Sequence, residues 1–194
     1  MEIDYKKYRW TYTSSGKLVF GGKSAEQNEE VVRLLIQEAE KNKGDKDYLV
    51  MHTHAPGSPF AVLFSKKYDE KDLEDCAIFC ACFSRAWKEG QKKAKVDIFR
   101  ASQLFKERGM RVGTFGVLKK AESRNVDLQL CLEVQQGVLR GVPYRKGKKS
   151  CLICLKPGSI SKEKAAEEIA NIIGFKKQEV LEALPTGGFV IDRI

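Results

Sequence analysis

Two β-rich runs, Tyr8 to Thr13 and Lys17 to Phe20, flank Ser14-Ser15-Gly16 near the start of the chain. Serine and glycine favour a tight reversal, so the pattern predicts a hairpin. After Gly21-Gly22, Ser24-Ala25-Glu26-Gln27 has the form of a capping box, in which Ser24 bonds the backbone three residues on and Gln27 reaches back. Val31, Leu34, Leu35 and Ala39 then keep helical spacing as far as a polar turn region from Lys41 to Asp47. Two strands, Asp47 to Met51 and Phe60 to Phe64, are predicted on either side of a loop from His52 to Pro59, where Pro56, Gly57 and Pro59 break any helix.

Lys71 to Glu89 carries the clearest helical stripe, with Leu73, Cys76, Ala77, Cys80, Phe83 and Trp87 on one face. Acids from Asp69 to Asp75 crowd its start and Arg85, Lys88, Lys92 and Lys93 its end, complementing the helix dipole. Strands are predicted from Val96 to Arg100 and, past the Arg108-Gly109 corner, from Arg111 to Leu118. Strict alternation from Val126 to Val134 predicts one half-buried strand, followed by basic, turn-prone sequence to Ser150. Cys151 to Leu155 reads as a strand and Lys156-Pro157-Gly158 as a turn. Ser161 caps a helix that buries Ala165, Ala166, Ile169, Ile172 and Ile173 and ends at Gly174. A short helix through Val180, Leu181 and Leu184 stops at Pro185, and Phe189 to Ile191 adds a last strand. Without strict β/α alternation the fold class is α+β: a mixed, mostly antiparallel sheet with packed helices and a small C-terminal α+β lobe. The expected division is residues 1–122 and an extension, 123–194, packed on them.

The 194 residues are 42% hydrophobic and 31% charged, which suits a globular core and excludes a wholly disordered chain. No apolar run approaches the roughly 18 residues of a membrane span, and the start has no secretory-signal pattern. A soluble cytoplasmic protein with its six cysteines reduced is therefore expected. Charge changes the picture most. Lysine and arginine total 35 against 26 acids, a net +9. From Arg85 to Lys120 there are eleven basic residues and three acids, and from Arg140 to Ser150 five basic residues and no acid. Such segregation suits a polyanion, which a cationic patch attracts by releasing counterions; the alternative is a pair of solvated basic faces.

Candidate chemistry is sparse. His52 and His54 with Cys151 and Cys154 offer too few ligands for a convincing metal site, so no metal or other cofactor is expected, nor any metal requirement for folding. Cys76 and Cys80 belong to the helical stripe and Cys82 is expected to face elsewhere. Ser58 shares a loop with both histidines, but no Gly-x-Ser-x-Gly elbow exists. Gly21-Gly22-Lys23 before a helix resembles a shortened phosphate loop, or equally a tight turn that needs glycine for its dihedrals. Trp87, on the apolar stripe, belongs to the core, which leaves few stacking rings.

Arg9-Trp10, Ser14, Gly16, Leu18, Gly21-Gly22-Lys23, Ala25 and Gln27-Asn28-Glu29 together closely resemble the opening motif of the NFACT-R domain. Three further motifs follow in family order: His52 ahead of Pro56-Gly57-Ser58-Pro59, then Ala77 to Phe79 with Ser84-Arg85-Ala86-Trp87-Lys88, then Lys106 to Gly109 with Gly113-Thr114-Phe115. The remainder, with Lys156-Pro157-Gly158 and Ala183 to Gly188, is similar to the extension of archaeal members. The resemblance implies the RNA-binding module of proteins that tag stalled chains on large ribosomal subunits. Two departures stand out. Positions where many members place a second histidine hold Pro56, Pro59 and Phe60, and the large N-terminal domain and coiled coil are missing, as in standalone members associated with tRNA or rRNA metabolism.

The leading expectation is a non-enzymatic module that binds structured tRNA or rRNA by its backbone, with the large ribosomal subunit as a possible partner. Arg9, Lys23, Arg85, Lys88, Lys92, Lys93, Lys106, Arg108 and Arg111 would supply cations, and Gly21 and Gly22 backbone donors. Asn28, and His52 with Pro56, Gly57 and Ser58, would complete the surface. The alternatives are an RNA-acting enzyme with His52 as acid or base, and an adaptor that docks on a ribosomal or tRNA-modification partner through an exposed apolar patch. Oligomeric state is left open.

Overall fold

The computed structural model describes residues 3–42, 47–147 and 149–192; most of the turn region expected from Lys41 to Asp47 lies outside them. The hairpin forms as β1 (Arg9–Tyr12) and β2 (Leu18–Gly21). Together with β3 (Leu49–Thr53), β4 (Ala61–Leu63), β5 (Lys93–Arg100) and β8 (Glu122–Asp127) they build a six-stranded sheet in the order β1-β2-β4-β3-β5-β8. Every pairing is antiparallel. Alternation divides the sheet's residues between two cores. Phe20, Val50, Val62 and Phe99 face α1 (Ala25–Lys41), whereas Val19, Met51, Leu63 and Ile98 face α2 (Glu70–Cys82). Helix α1 buries Val31, Val32, Leu35 and Ala39, so Val32 takes the place expected for Leu34. Ser24 caps it as predicted, but Gln27 accepts from the Lys23 N–H at 2.8 Å, one residue before the cap.

Helix α2 is a central rod. Residues Cys76 through Cys82 are all buried, because the six-stranded sheet covers one side and a second sheet the other. Cys82 therefore does not face elsewhere, and burial pushes the Cys80 thiol up to about 12. The single helix expected from Lys71 to Glu89 is broken: Ser84 accepts from the Ala86 N–H and starts a separate turn, α3 (Arg85–Lys88). The predicted strand from Arg111 to Leu118 is reduced to β7 (Gly116–Val117), paired with β6 (Leu104–Phe105).

The alternating segment from Val126 to Val134 is two strands in two sheets. β8 completes the first sheet, and after Leu128 and Gln129 the chain enters β9 (Leu130–Gln135) of a second, ordered β10-β9-β11-β12. Its other members are β10 (Val138–Pro143), within the stretch read as turns, β11 (Ile153–Ile160) and β12 (Phe189–Asp192). Lys156-Pro157-Gly158 lies inside β11, where the register against β12 shifts, and is not a turn. Helices α4 (Lys162–Ile173) and α5 (Lys177–Ala183) cover this lobe, with Ile172 left exposed. Cys131 and Cys151 form a disulfide, so the six cysteines are not all reduced. Purified protein, denatured without reductant, is expected to titrate four thiols; six would refute the bond.

The acids at the start of α2 do more than complement a dipole. Buried Asp72 accepts from Thr13 Oγ1 at 2.5 Å and Ser15 Oγ at 2.6 Å, and buried Asp75 from the Ser14 N–H at 2.8 Å, so the hairpin turn is pinned to the rod. Burial opposes ionisation of Asp72, but those hydroxyls and the Asp69 N–H outweigh it and hold its carboxyl below the usual range. The unfolded chain therefore takes up this proton first as pH falls. Stability from Asp72 is fully present above about pH 4 and is lost as pH drops through the folded value. Asp72→Asn is expected to cost about 1.5–3 kcal/mol at pH 7, the range for hydrogen bonds to a charged group. It should also flatten the acid limb of urea midpoints plotted against pH; an unchanged limb would count against this role.

Candidate nucleic-acid interface

The end of β2, the loop after β3 and the segment before β7 enclose a cleft of about 660 Å³. Two glycines allow the close approach. A Cβ on Gly21 would lie 2.9 Å from Pro59 Cβ, and one on Gly22 only 2.7 Å from the Asn28 backbone nitrogen. Neither has a positive φ, so crowding rather than a turn dihedral demands glycine here. Asn28 holds the opposite loop by accepting from the Phe60 N–H at 3.1 Å and donating to the Ser58 carbonyl at 3.4 Å. Ser58 Oγ accepts from the Thr53 N–H at 3.0 Å and donates to the Pro59 carbonyl, so its hydroxyl shapes the loop. On the far side Gly57, with φ +104°, accepts from the Arg85 N–H at 2.7 Å. The loop is fixed from both ends before any ligand arrives.

His52 and Thr53 belong to β3, so the loop proper begins at His54. The His52 ring lies 4.5 Å from that of Phe60, which meets Phe115 edge-on at 5.5 Å, and all three line the cleft. Burial pulls the His52 pKa down, outweighing the Thr53 carbonyl and Asp97, and its Nδ1 lies 2.7 Å from that carbonyl. A neutral ring donating from Nδ1 leaves Nε2 as an acceptor. His54 does not pair with His52. Its Nδ1 sits 2.8 Å from Asp97, which also accepts from Ser123 at 2.6 Å. Burial disfavours the Asp97 anion, yet Ser123 and His54 keep its carboxyl below the usual range.

The expected cations divide into free and engaged groups. Arg85, Lys88, Lys92, Arg108 and Arg111 are exposed, and none of their side chains is ion-paired among the described residues. Lys93 lies 3.4 Å from Asp127. Lys106 is not free: its buried ammonium reaches Glu29 at 2.7 Å and the Arg111 and Thr114 carbonyls at 2.7 and 2.9 Å. In the second basic stretch Arg145 is held by Glu74 and Asp75 at 2.7 and 2.8 Å. Arg9 is largely withdrawn, its guanidinium 4.3 Å from the Phe83 ring centre. The cleft thus gathers Gly22, Lys23, Asn28, His52, Pro56, Gly57 and Ser58; Arg85 lines an adjoining hollow that shares Thr53, His54 and Pro56 with it, and Arg108 and Arg111 lie in the chain just before the wall residues Gly113 to Phe115. Reasoning from sequence missed Phe60, Phe83 and Phe115, which no spacing connects; only Phe115 stood inside a quoted motif.

A cleft with rings and an imidazole acceptor, Lys23 in its lining and Arg85 beside it, can hold a nucleobase beside its phosphates. The fold is similar to the C-terminal part of the fibronectin/fibrinogen-binding protein from Streptococcus suis, at a TM-score of 0.50 and 22% identity over 61% of this chain and 44% of that one. Along the sequence it is 32% identical to the archaeal Rqc2 homolog aRqcH of Methanocaldococcus jannaschii, over 95% of this chain but 28% of that protein's length. Residues 7–119, which include every lining residue of the cleft, match the family described as NFACT protein RNA binding domain. By this match across more than half of its length, the chain belongs to the NFACT RNA-binding domain family.

Proposed function

We propose that the chain binds structured RNA, tRNA or rRNA, through phosphate and 2′-hydroxyl contacts, and serves ribosome-associated quality control or tRNA metabolism in the cytoplasm. The observation that carries this reading is the pre-shaped aromatic cleft, lined by Lys23 and adjoined by Arg85, in a domain that also exposes the unpaired cations Lys88, Lys92, Arg108 and Arg111. Likeness to aRqcH supports the setting, with the large ribosomal subunit as the candidate partner. Exposed cations supplied by separate segments of the chain suit the phosphates of a folded RNA, and the rings are too few and too recessed for a row of splayed bases. In this reading His52 Nε2 accepts a hydrogen bond from the RNA and transfers no proton.

The test pairs two measurements. Reversing Lys92 and Arg108 to glutamate should weaken binding of folded tRNA and lower the slope of log K against log salt by about one for each lost phosphate contact. At equal salt and length, folded tRNA should bind more tightly than an unstructured strand. An unchanged slope refutes the cationic face, and equal or tighter binding of the unstructured strand refutes the preference for folded RNA.

A further inference from the structure

A second cavity, of about 500 Å³, opens where the hairpin meets the C-terminal lobe. Five cations line it: Lys6, Arg9, Lys23, Arg140 and Lys162. The one carboxylate in its lining is Glu182, which attracts Lys23 and Arg140 from a distance but forms no ion pair with any of the five. Two of the guanidiniums are stacked in place, Arg9 over Phe83 at 4.3 Å and Arg140 over Trp10 at 4.1 Å. Arg140 Nε is buried and has no hydrogen-bond partner. Lys162 donates to the Leu184 carbonyl at 3.1 Å, which leaves two of its three donors unused.

Such an arrangement is unfavourable as it stands. A buried guanidinium is retained in folded proteins when a carboxylate or phosphate completes its hydrogen bonds, and like charges gathered without one repel. The local electrostatics agree with the geometry. Burial and the neighbouring Arg140 charge push Arg9 down to about 10, and Lys23, Arg140 and Lys162 are likewise lowered, chiefly by burial. What the cavity lacks is an anion with several acceptor oxygens set among these cations, and planar guanidiniums can hold two oxygens of a phosphate through paired N–H bonds.

We propose that this cavity is a phosphate site, in which Arg9 and Arg140 grip a phosphoryl group of bound RNA while Lys23 and Lys162 neutralise it. The proposal rests on the RNA reading above for the ligand's source, and on the cavity alone for its chemistry. Lys23 lines both cavities, so this phosphate lies next to the nucleotide in the aromatic cleft. Arg140, Lys162 and Glu182 lie beyond residues 7–119, so the C-terminal lobe completes the site. Two sources share this chemistry, a terminal phosphomonoester and an internal phosphodiester.

Pyrophosphate serves as the first probe, because it needs no RNA. Titrated at constant ionic strength, it should raise the Tm of the native protein and that of Lys41→Gln, a change on the exposed end of α1. It should not raise the Tm of Arg140→Gln or of the double variant Lys6→Gln/Lys162→Gln. Each variant is compared with its own unliganded Tm, so a general loss of stability does not mimic the result, and the double variant leaves the Arg140 stack on Trp10 intact. No response in native protein, or an equal response in the variants, overturns the proposal. The second arm compares a tRNA bearing a 5′-phosphate with the same tRNA bearing a 5′-hydroxyl. A preference of about tenfold or more that vanishes in the variants identifies the terminal group; an equal weakening of both RNAs identifies an internal phosphate. Unaltered affinity of both RNAs in the variants overturns the assignment to RNA. A pyrophosphate response in a protein that binds neither RNA would uphold the oxyanion site while refuting the RNA reading itself.

Discussion

Trp87→Ala is expected to destabilise the protein by about 3–5 kcal/mol, a large share of the roughly 5–15 kcal/mol that holds a typical domain together. The indole is fully buried where α3 meets the last strand, 5.6 Å from the Phe189 ring, and its Nε1 donates to the Gly188 carbonyl at 3.0 Å. The neighbourhood cannot collapse onto the space left behind. A Cβ on Gly187 would lie 2.8 Å from Lys88 Cα, so backbone already presses on this contact. Trp87→Phe keeps most of the apolar volume and removes one of the two donors to that carbonyl, which the Gly158 N–H also reaches at 3.2 Å, and should cost about 0.5–1.5 kcal/mol. Urea midpoints of the two variants read the difference. If Trp87→Ala shifts the midpoint no more than Trp87→Phe does, the indole is not the anchor between α3 and β12.

Lys106→Met separates architecture from RNA contact. The ammonium ties Glu29 on α1 to the Arg111 and Thr114 carbonyls, and Glu29 in turn accepts from the Gly113 N–H at 2.8 Å. Glu29 is partly exposed and keeps Arg33 at 2.7 Å, so the loss is that of a charge-assisted hydrogen bond, about 1.5–3 kcal/mol, concentrated in the segment that forms one wall of the cleft. RNA affinity should therefore fall while the salt slope stays at the native value, because no phosphate contact is lost. Amide exchange from Arg111 to Phe115 should rise in the same variant. Arg108→Glu should do the reverse, lowering the slope and leaving exchange unchanged. A slope that falls in Lys106→Met would return Lys106 to the RNA-contacting set.

The hairpin, α1, α4, α5 and the terminal strand were legible because each pairs a local stop signal with one buried face. Alternation from Val126 through Leu132 was misleading for a physical reason. It reports which side is buried, and Val126, Leu128, Leu130 and Leu132 all stay buried while the chain leaves one sheet for another. Likewise, a rod enclosed on both sides has no polar stripe, so Cys82 could not be placed from periodicity. Lys156-Pro157-Gly158 looked like a turn because its composition is that of a turn, and the same composition suits a bulge. Of the site, the loop from Pro56 to Pro59 and the glycines were readable from their motifs. The partners that consume Lys106, and those that gather Arg9 with Arg140, come from distant sequence and appear only in the folded chain.

One side chain settles what the open margin of the first sheet can do. β1 is an edge strand, and the Gln135 carboxamide accepts from the Tyr12 N–H at 2.8 Å and donates to the Tyr12 carbonyl at 3.3 Å, as a neighbouring strand would. The row of free amide groups that would template addition of a foreign strand is thereby closed off at the last residue of β1. A carboxamide can imitate one residue of a ladder but cannot extend it, so the sheet ends there. The C-terminal lobe, which carries Gln135, is in this respect a guard against self-association, and a fragment deprived of it would expose a margin on which copies of itself could polymerise.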